Sequence, residues 1–210
     1  RYIMGINLTT QLTKLDALNG MASYIGIPPL EDIADITLSP DFQLAELVLD
    51  ELVQEVCAHG MPCNTQFKYD MSPDVDNEIP LEEGMISVFP EDMYSDYVVE
   101  RDGKLFNNND NTFEFTQAIP VTVFWLYDYE SLPQVVRKYV YIAGARRFVS
   151  RVKGDDAVLG TTQLDMLRAE TEFLSYTQNI GNINMIYDNP ETCYAIDNNS
   201  ANLGYGYYGY

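Results

Sequence analysis

The feature that most constrains this chain is a hydrophobic period that changes twice. Over residues 8–60 apolar side chains recur every three or four positions. Over 61–126 they fall into short runs rich in Val, Ile, Tyr and Phe, broken by Pro, Gly, Asn and Asp. Over 131–181 the helical period returns. A helix repeats near 3.6 residues and a strand near 2, so one element type cannot serve all three stretches. The expectation is an α+β fold. Residues 8–60 and 131–181 supply a four-helix bundle built from both ends of the chain, since no helix can bury its stripe alone. Residues 61–126 form an inserted antiparallel β-domain, and 182–210 an extended C-terminal arm. At 210 residues, 46% of them hydrophobic, the chain can bury roughly 70% of its unfolded surface.

In the first half, Leu8, Leu12, Leu15, Leu18, Met21, Ala22 and Ile25 predict an opening helix stopped by Gly26 and Pro28-Pro29. Ser39-Pro40-Asp41 reads as a second helix start, with a capping Ser, Pro at the first helical position and an acid against the macrodipole. Its wide apolar set from Phe42 to Val56 closes at Gly60, with His59 beside it in a capping position. Strands are expected near 65–70, 85–89, 96–101, 104–107, 112–116 and 119–126. Asp102-Gly103 is a hairpin turn signal and Asn107–Asn111 a second turn.

Charge is sorted as sharply as hydrophobicity. The formal net charge is −20, yet Arg137, Lys138, Arg146, Arg147, Arg151 and Lys153 are half of the 12 Lys and Arg and fall within one predicted helix. Ser131 and Pro133 open that helix and Gly154 ends it. Its apolar stripe is Tyr141, Ala145, Phe148, Val149 and Val152, with Arg137, Gly144, Arg147 and Arg151 along one flank. No acid lies between Ser131 and Gly154. Such sorting points to a surface that meets an acidic partner, in a neighbouring subunit or another protein, with a solvated basic face as the alternative. A last helix begins at Asp155-Asp156, buries Leu164, Leu167, Phe173, Leu174 and Ile180, and stops at Gly181. Residues 182–210 then hold six Asn, six Tyr and three Gly without any Lys or Arg. Tyrosines bury well in a partner's surface, so Tyr187, Tyr194, Tyr205, Tyr207, Tyr208 and Tyr210 are read as anchors of an arm that orders on docking.

Three segments, in order, carry a family likeness. Ala17-Leu18-Asn19 precedes Ser23-Tyr24-Ile25-Gly26-Ile27-Pro28-Pro29. Val99-Glu100-Arg101-Asp102-Gly103-Lys104-Leu105-Phe106-Asn107 follows. Then Val121–Leu126 leads through Asp128-Tyr129-Glu130-Ser131-Leu132-Pro133 to Ala145-Arg146-Arg147-Phe148. Over most of residues 8–180 the chain resembles the tail tubular protein A family, the adaptor or gatekeeper proteins of short-tailed bacteriophages. The resemblance implies a structural virion protein of the tail. It implies a homo-oligomeric ring, twelve copies in the family, between a portal protein and a tail nozzle protein of the tail tubular protein B type. Duplex DNA would pass through the channel without specific binding, and the C-terminal arm would reach toward the portal. Arg137, Arg146, Arg147 and Arg151 are then candidates for subunit or portal contact. Where relatives commonly have Arg-Gly-Trp after the second helix, this chain has His59-Gly60-Met61, so that aromatic anchor is missing.

Little in the sequence points to chemistry. An acidic chain with a sequence pI near 4.1 is poorly suited to gripping nucleic acid phosphates. No apolar run reaches the ~18 residues of a membrane helix, and Arg1–Gly5 does not open a signal peptide. Cys57, Cys63 and Cys193 read as reduced thiols, and with His59 the only histidine they make no zinc set. Asp74-x-Asp76-x-Glu78 starts like a calcium loop but has Ile79 where Gly is needed and Met85 where the bidentate acid belongs. Glu82-Glu83 and Glu91-Asp92 are the pairs that a virion-associated glycan hydrolase, the enzymatic alternative, would have to use. No catalytic, cofactor or metal residue is assigned.

Overall fold

The computed structural model describes residues 11–91, 94–154 and 163–187, the last stretch in side-chain detail as far as 178. The fold is α+β. Helix α1 spans Lys14–Ser23, a 3-10 helix η1 spans Ile33–Leu38, and α2 spans Pro40–Ala58. Five strands follow: β1 Thr65–Met71, β2 Met85–Pro90, β3 Val98–Arg101, β4 Lys104–Asn107 and β5 Ile119–Trp125. A 3-10 turn at Tyr129–Ser131 leads into α3, Gln134–Lys153, and α4 runs Gln163–Tyr187.

Helix α1 begins later than the apolar period implies. Thr13 and Asp16 form a reciprocal capping box, which fixes Lys14 as the first helical residue and leaves Leu12 outside. That Thr-x-x-Asp signal stands in the sequence and outranks the periodicity that continues back through Leu12. Helix α2 has Pro40 in its first turn, and His59 is its C-cap. Gly60 follows at φ +72°, with no room for a Cβ because the Phe124 ring lies 2.4 Å from where it would sit. Gly154, at φ +59°, closes α3 in the left-handed conformation expected of a helix-ending glycine.

Helix α3 is the centre of the helical part, in contact with α1, α2 and α4, so helices from both ends of the chain share one core. Leu18, Met21, Val48, Leu49, Phe42, Val136, Val140 and Phe148 are fully buried in it. Gly20 lets α1 approach α3 closely, for a Cβ there would lie 2.6 Å from the Tyr141 ring. Met61, just beyond α2, is also fully buried and belongs to the same core.

The strands build a three-stranded antiparallel sheet in the order β1-β5-β2 and a separate β3–β4 hairpin turning at Asp102-Gly103. Ile119, Val121 and Val123 of β5 alternate onto a second core with Met71, Val88, Val98 and Leu105. The strand expected near 112–116 does not form. Thr112 and Glu114 make isolated bridges to Asn107 and Glu78, and the Thr112 hydroxyl accepts the Glu114 N–H, a local side-chain bond that competes with a strand ladder.

Helix α4 departs most from expectation. Its buried stripe is Ala169 and Phe173, with Met166 and Tyr176 half-buried beside them, and Phe173 stacks on Tyr139 at 4.4 Å. Leu164, Leu167 and Leu174 are instead 66%, 60% and 46% exposed. The helix has apolar residues on two opposite faces, and α3 covers only one. It also runs through Gly181 to Tyr187, since a lone mid-helix glycine costs only about 1 kcal/mol. The expected helix start at Asp155-Asp156, the side chain of Ile180, Cys193 and the tyrosines Tyr194, Tyr205, Tyr207, Tyr208 and Tyr210 lie outside the described residues, and Tyr187 is described in its backbone alone.

Candidate functional site

The Asp128–Pro133 turn and the basic helix it opens form one continuous construction. Tyr129 is buried and donates from its hydroxyl to the Arg137 carbonyl at 3.2 Å. Burial raises that phenol well above its ordinary pKa, with Arg137 opposing the shift. Arg137 is 6% exposed, and its guanidinium donates to the carbonyls of Leu132 at 2.7 Å, Leu12 at 3.0 Å, and Glu130. Gln134 Oε1 accepts the Leu12 N–H at 2.9 Å, and Glu130 Oε1 accepts the Lys14 N–H at 3.1 Å. The turn therefore clasps residues 12–14 and fixes where α1 begins. The sequence predicts that Arg137 faces an acid outside the chain, but it is consumed by neutral carbonyls inside it.

Further along α3 the partners are acids of α2. Arg147 makes a two-pronged contact with Glu55 at 2.7 and 2.8 Å, and Arg151 does the same with Glu51 at 3.3 and 2.7 Å. The hydrogen bond from Arg151 holds Glu51 below the usual carboxylate range, and that from Arg147 does so for Glu55. Arg147 and Arg151 thus meet acids of their own chain, where the sequence predicts acids of a neighbouring subunit or of another protein. Lys138 pairs with Glu172 of α4 at 2.8 Å, and Lys14 of α1 with Glu46 and Asp50 of α2 at 2.9 and 3.0 Å. Burial would lower the Lys14 ammonium, but its hydrogen bonds to the two carboxylates outweigh that and raise it. Arg146 is exposed and has no ion-pair partner among the described residues.

Two cavities border this construction. One of about 560 Å³ lies between Lys14, Asp50, Gln54 and the turn residues Leu126–Ser131. The other, of about 660 Å³, has Leu52, Tyr139, Ala143 and Met166 as lining, with Glu55, Arg146, Arg147, Ser150 and Arg151 around them. Neither contains the acid pairs singled out in the sequence. Glu82 accepts the Tyr69 hydroxyl at 2.6 Å, and Glu91 accepts the Lys68 N–H and the Thr122 hydroxyl. Asp74 closes its own turn by accepting the Asp76 and Glu78 N–H groups, and Glu78 pairs with Lys104. Among the described residues no cluster of three or more His, Cys, Asp or Glu could hold a metal. Cys57 and Cys63 are free, and burial raises both thiols.

Asn64 escaped the sequence reading. It is 1% exposed, accepts from the Met61 N–H at 2.7 Å, and donates to the Cys57 and Trp125 carbonyls at 2.8 Å each. One amide thereby ties the end of α2 to the end of β5. Nothing in the sequence distinguishes it from the other turn asparagines, because its decisive partner is 61 residues away.

These polar groups hold elements of one chain together. A family model described as "Tube: Tail tubular protein" matches residues 15–183. The chain belongs to the tail tubular protein family and is a structural component of the phage virion tail, where it assembles with other tail proteins. No curated protein sequence matches the chain.

Proposed function

We propose that this chain is the adaptor, or gatekeeper, of a short-tailed phage. Copies close into a ring, twelve as the resemblance implies, between the portal and a nozzle protein of the tail tubular protein B type. Helices α1–α4 act as one bundle in the ring wall, and duplex DNA passes through the channel during ejection without specific binding. The observation that carries the reading is the family match, which spans both helical parts and all five strands. Charge supports it: at −20 per chain, a ring of copies repels DNA. Residues 182–210 would anchor on the portal through Tyr187, Tyr194, Tyr205, Tyr207, Tyr208 and Tyr210, the first of them at the end of α4. The subunit contact would draw on Arg146, with Arg147 and Arg151 free to exchange acids within the chain for acids of a neighbour.

Light scattering on the purified full chain tests the ring, with a mass near twelve chains expected and a monomer at all concentrations as the overturning result. Pull-down with portal tests the arm. Removing residues 188–210 should abolish stable docking, and normal docking would leave the tyrosines without that role.

A further inference from the structure

Among the described residues the helical core leaves two complementary surfaces uncovered. On one side, η1 packs on α2 and presents Leu38 at 79% and Ile33 at 43% exposure, flanked by the acids Glu31, Asp32 and Asp35. No Lys or Arg occurs between Lys14 and Lys68 to neutralise them. On the other side, α4 packs on α3, and the 660 Å³ cleft there is lined by apolar Leu52, Tyr139, Ala143 and Met166 and by Arg146, Arg147 and Arg151, with Glu55 as its one acid, already paired with Arg147. The contacts run η1 to α2, α2 to α3, α3 to α4, which puts the acidic projection and the Arg-lined cleft on different flanks of the α2–α3 pair. Within the chain, α2 acids already meet Arg147 and Arg151, so among the cations that line the cleft Arg146 is the one without an ion-pair partner among the described residues.

We infer that the α3–α4 cleft of one copy receives η1 of a second copy, with Leu38 seated on the apolar lining and Glu31 and Asp35 facing Arg146. The inference rests on the ring reading above and names the two faces that would close the ring. A contact between different faces is head-to-tail, and such contacts generate rings when the rotation closes. Opposed charge at its rim would set register and speed encounter, while the exposed leucine supplies the apolar burial.

Charge exchange on the full chain tests it, with circular dichroism to confirm that each variant folds. Glu31→Lys with Asp35→Lys should raise the concentration for half-assembly by about tenfold or more, and Arg146→Glu should do the same. Combining all three should restore assembly to within about threefold of the original, because the attractive pairing is re-formed with its signs reversed. Glu83→Lys with Glu100→Lys, a charge change equal to that of the Glu31/Asp35 reversal but on the exposed β-domain surface, should have little effect. Leu38→Ser should weaken assembly without rescue by any charge change. A ring that assembles normally with Arg146→Glu and with the Glu31/Asp35 reversal overturns this inference while leaving the ring reading intact. Absence of any ring from the unaltered protein removes both.

Discussion

The two ends of α3 carry the same kind of side chain and use it oppositely. At the N-terminal end, Arg137 is buried and gives its protons to three neutral carbonyls from residues 12, 130 and 132. At the C-terminal end, Arg147 and Arg151 lie 33% and 39% exposed and meet carboxylates of α2 across a seam open to water. The first arrangement withdraws a charge from solvent and is tolerated because the fork of the guanidinium matches three acceptors at once. The second leaves both charges solvated, so attraction is screened and the pairs hold loosely. Identical residues on one helix thus serve a rigid clasp at one end and an adjustable seam at the other. The seam is the end from which an exchange with a neighbouring copy costs little.

The largest effect should come from breaking the clasp. Arg137→Met keeps much of the side-chain volume but leaves the Leu12, Glu130 and Leu132 carbonyls without their donor. A buried unsatisfied polar group costs about 1–3 kcal/mol, and only the Leu132 bond is fully buried while the other two are part-buried, so a loss of about 2–4 kcal/mol is expected by urea denaturation. Raising the salt concentration should not change that loss, because no ion pair is involved. A cost under about 1 kcal/mol would show that water replaces the guanidinium and that the clasp does not hold α1.

A second effect sharpens the contrast through alkaline pH. Burial pushes the Tyr129 phenol far up and that of Tyr141 to about 12. A raised folded-state pKa means stability that is complete below the ordinary tyrosine range, near 10, and lost as pH rises through the folded value. Tyrosinate absorbance should therefore appear for exposed tyrosines first and for Tyr129 only together with loss of helical circular dichroism. Tyr129→Phe should shrink the last phase, to which Tyr176, also raised by burial, contributes as well, and cost about 1 kcal/mol at neutral pH, the worth of one hydrogen bond.

The sequence made the α+β class legible because period and turn chemistry are local. The Asp102-Gly103 hairpin and the helix ends at Gly60 and Gly154 were readable for the same reason. The site was less so. Arg137, Arg147 and Arg151 share one helical flank in sequence, but each has an acceptor far along the chain, 125, 92 and 100 residues away, and only packing decides which is buried. Helix α4 fails the reading for a related reason. Leu164, Leu167 and Leu174 repeat as regularly as Met166, Ala169 and Phe173, so periodicity alone cannot tell which stripe meets α3. Small Ala169 permits the closer approach, and the larger leucines are left outside.

Acid should loosen the seam before it touches the clasp. Glu51 and Glu55 titrate below their ordinary range because they accept from Arg151 and Arg147. Depressed folded values give stability that is present above the ordinary carboxylate pKa and lost as pH falls through the folded one. Stability should thus decline below about pH 4.5, and in the Glu51→Gln/Glu55→Gln variant this decline should be shallower. The Arg137 contacts, made to carbonyls, contribute nothing to that slope.

The smallest effect is the most discriminating. A double-mutant cycle of Arg147→Met and Glu55→Gln should yield a coupling of about 0.2–1 kcal/mol, the range for exposed pairs, and less in high salt. The pair's 33% and 52% side-chain exposure argues for the low end. If the coupling instead exceeds about 2 kcal/mol and ignores salt, the seam is held as rigidly as the clasp, and Arg147 has no freedom to exchange Glu55 for an acid of a neighbour. A weak, salt-sensitive coupling leaves that exchange open. In that case the same cycle, repeated on assembled protein, should give a different value from the one measured on dilute chains, because a second acid would then compete for the guanidinium.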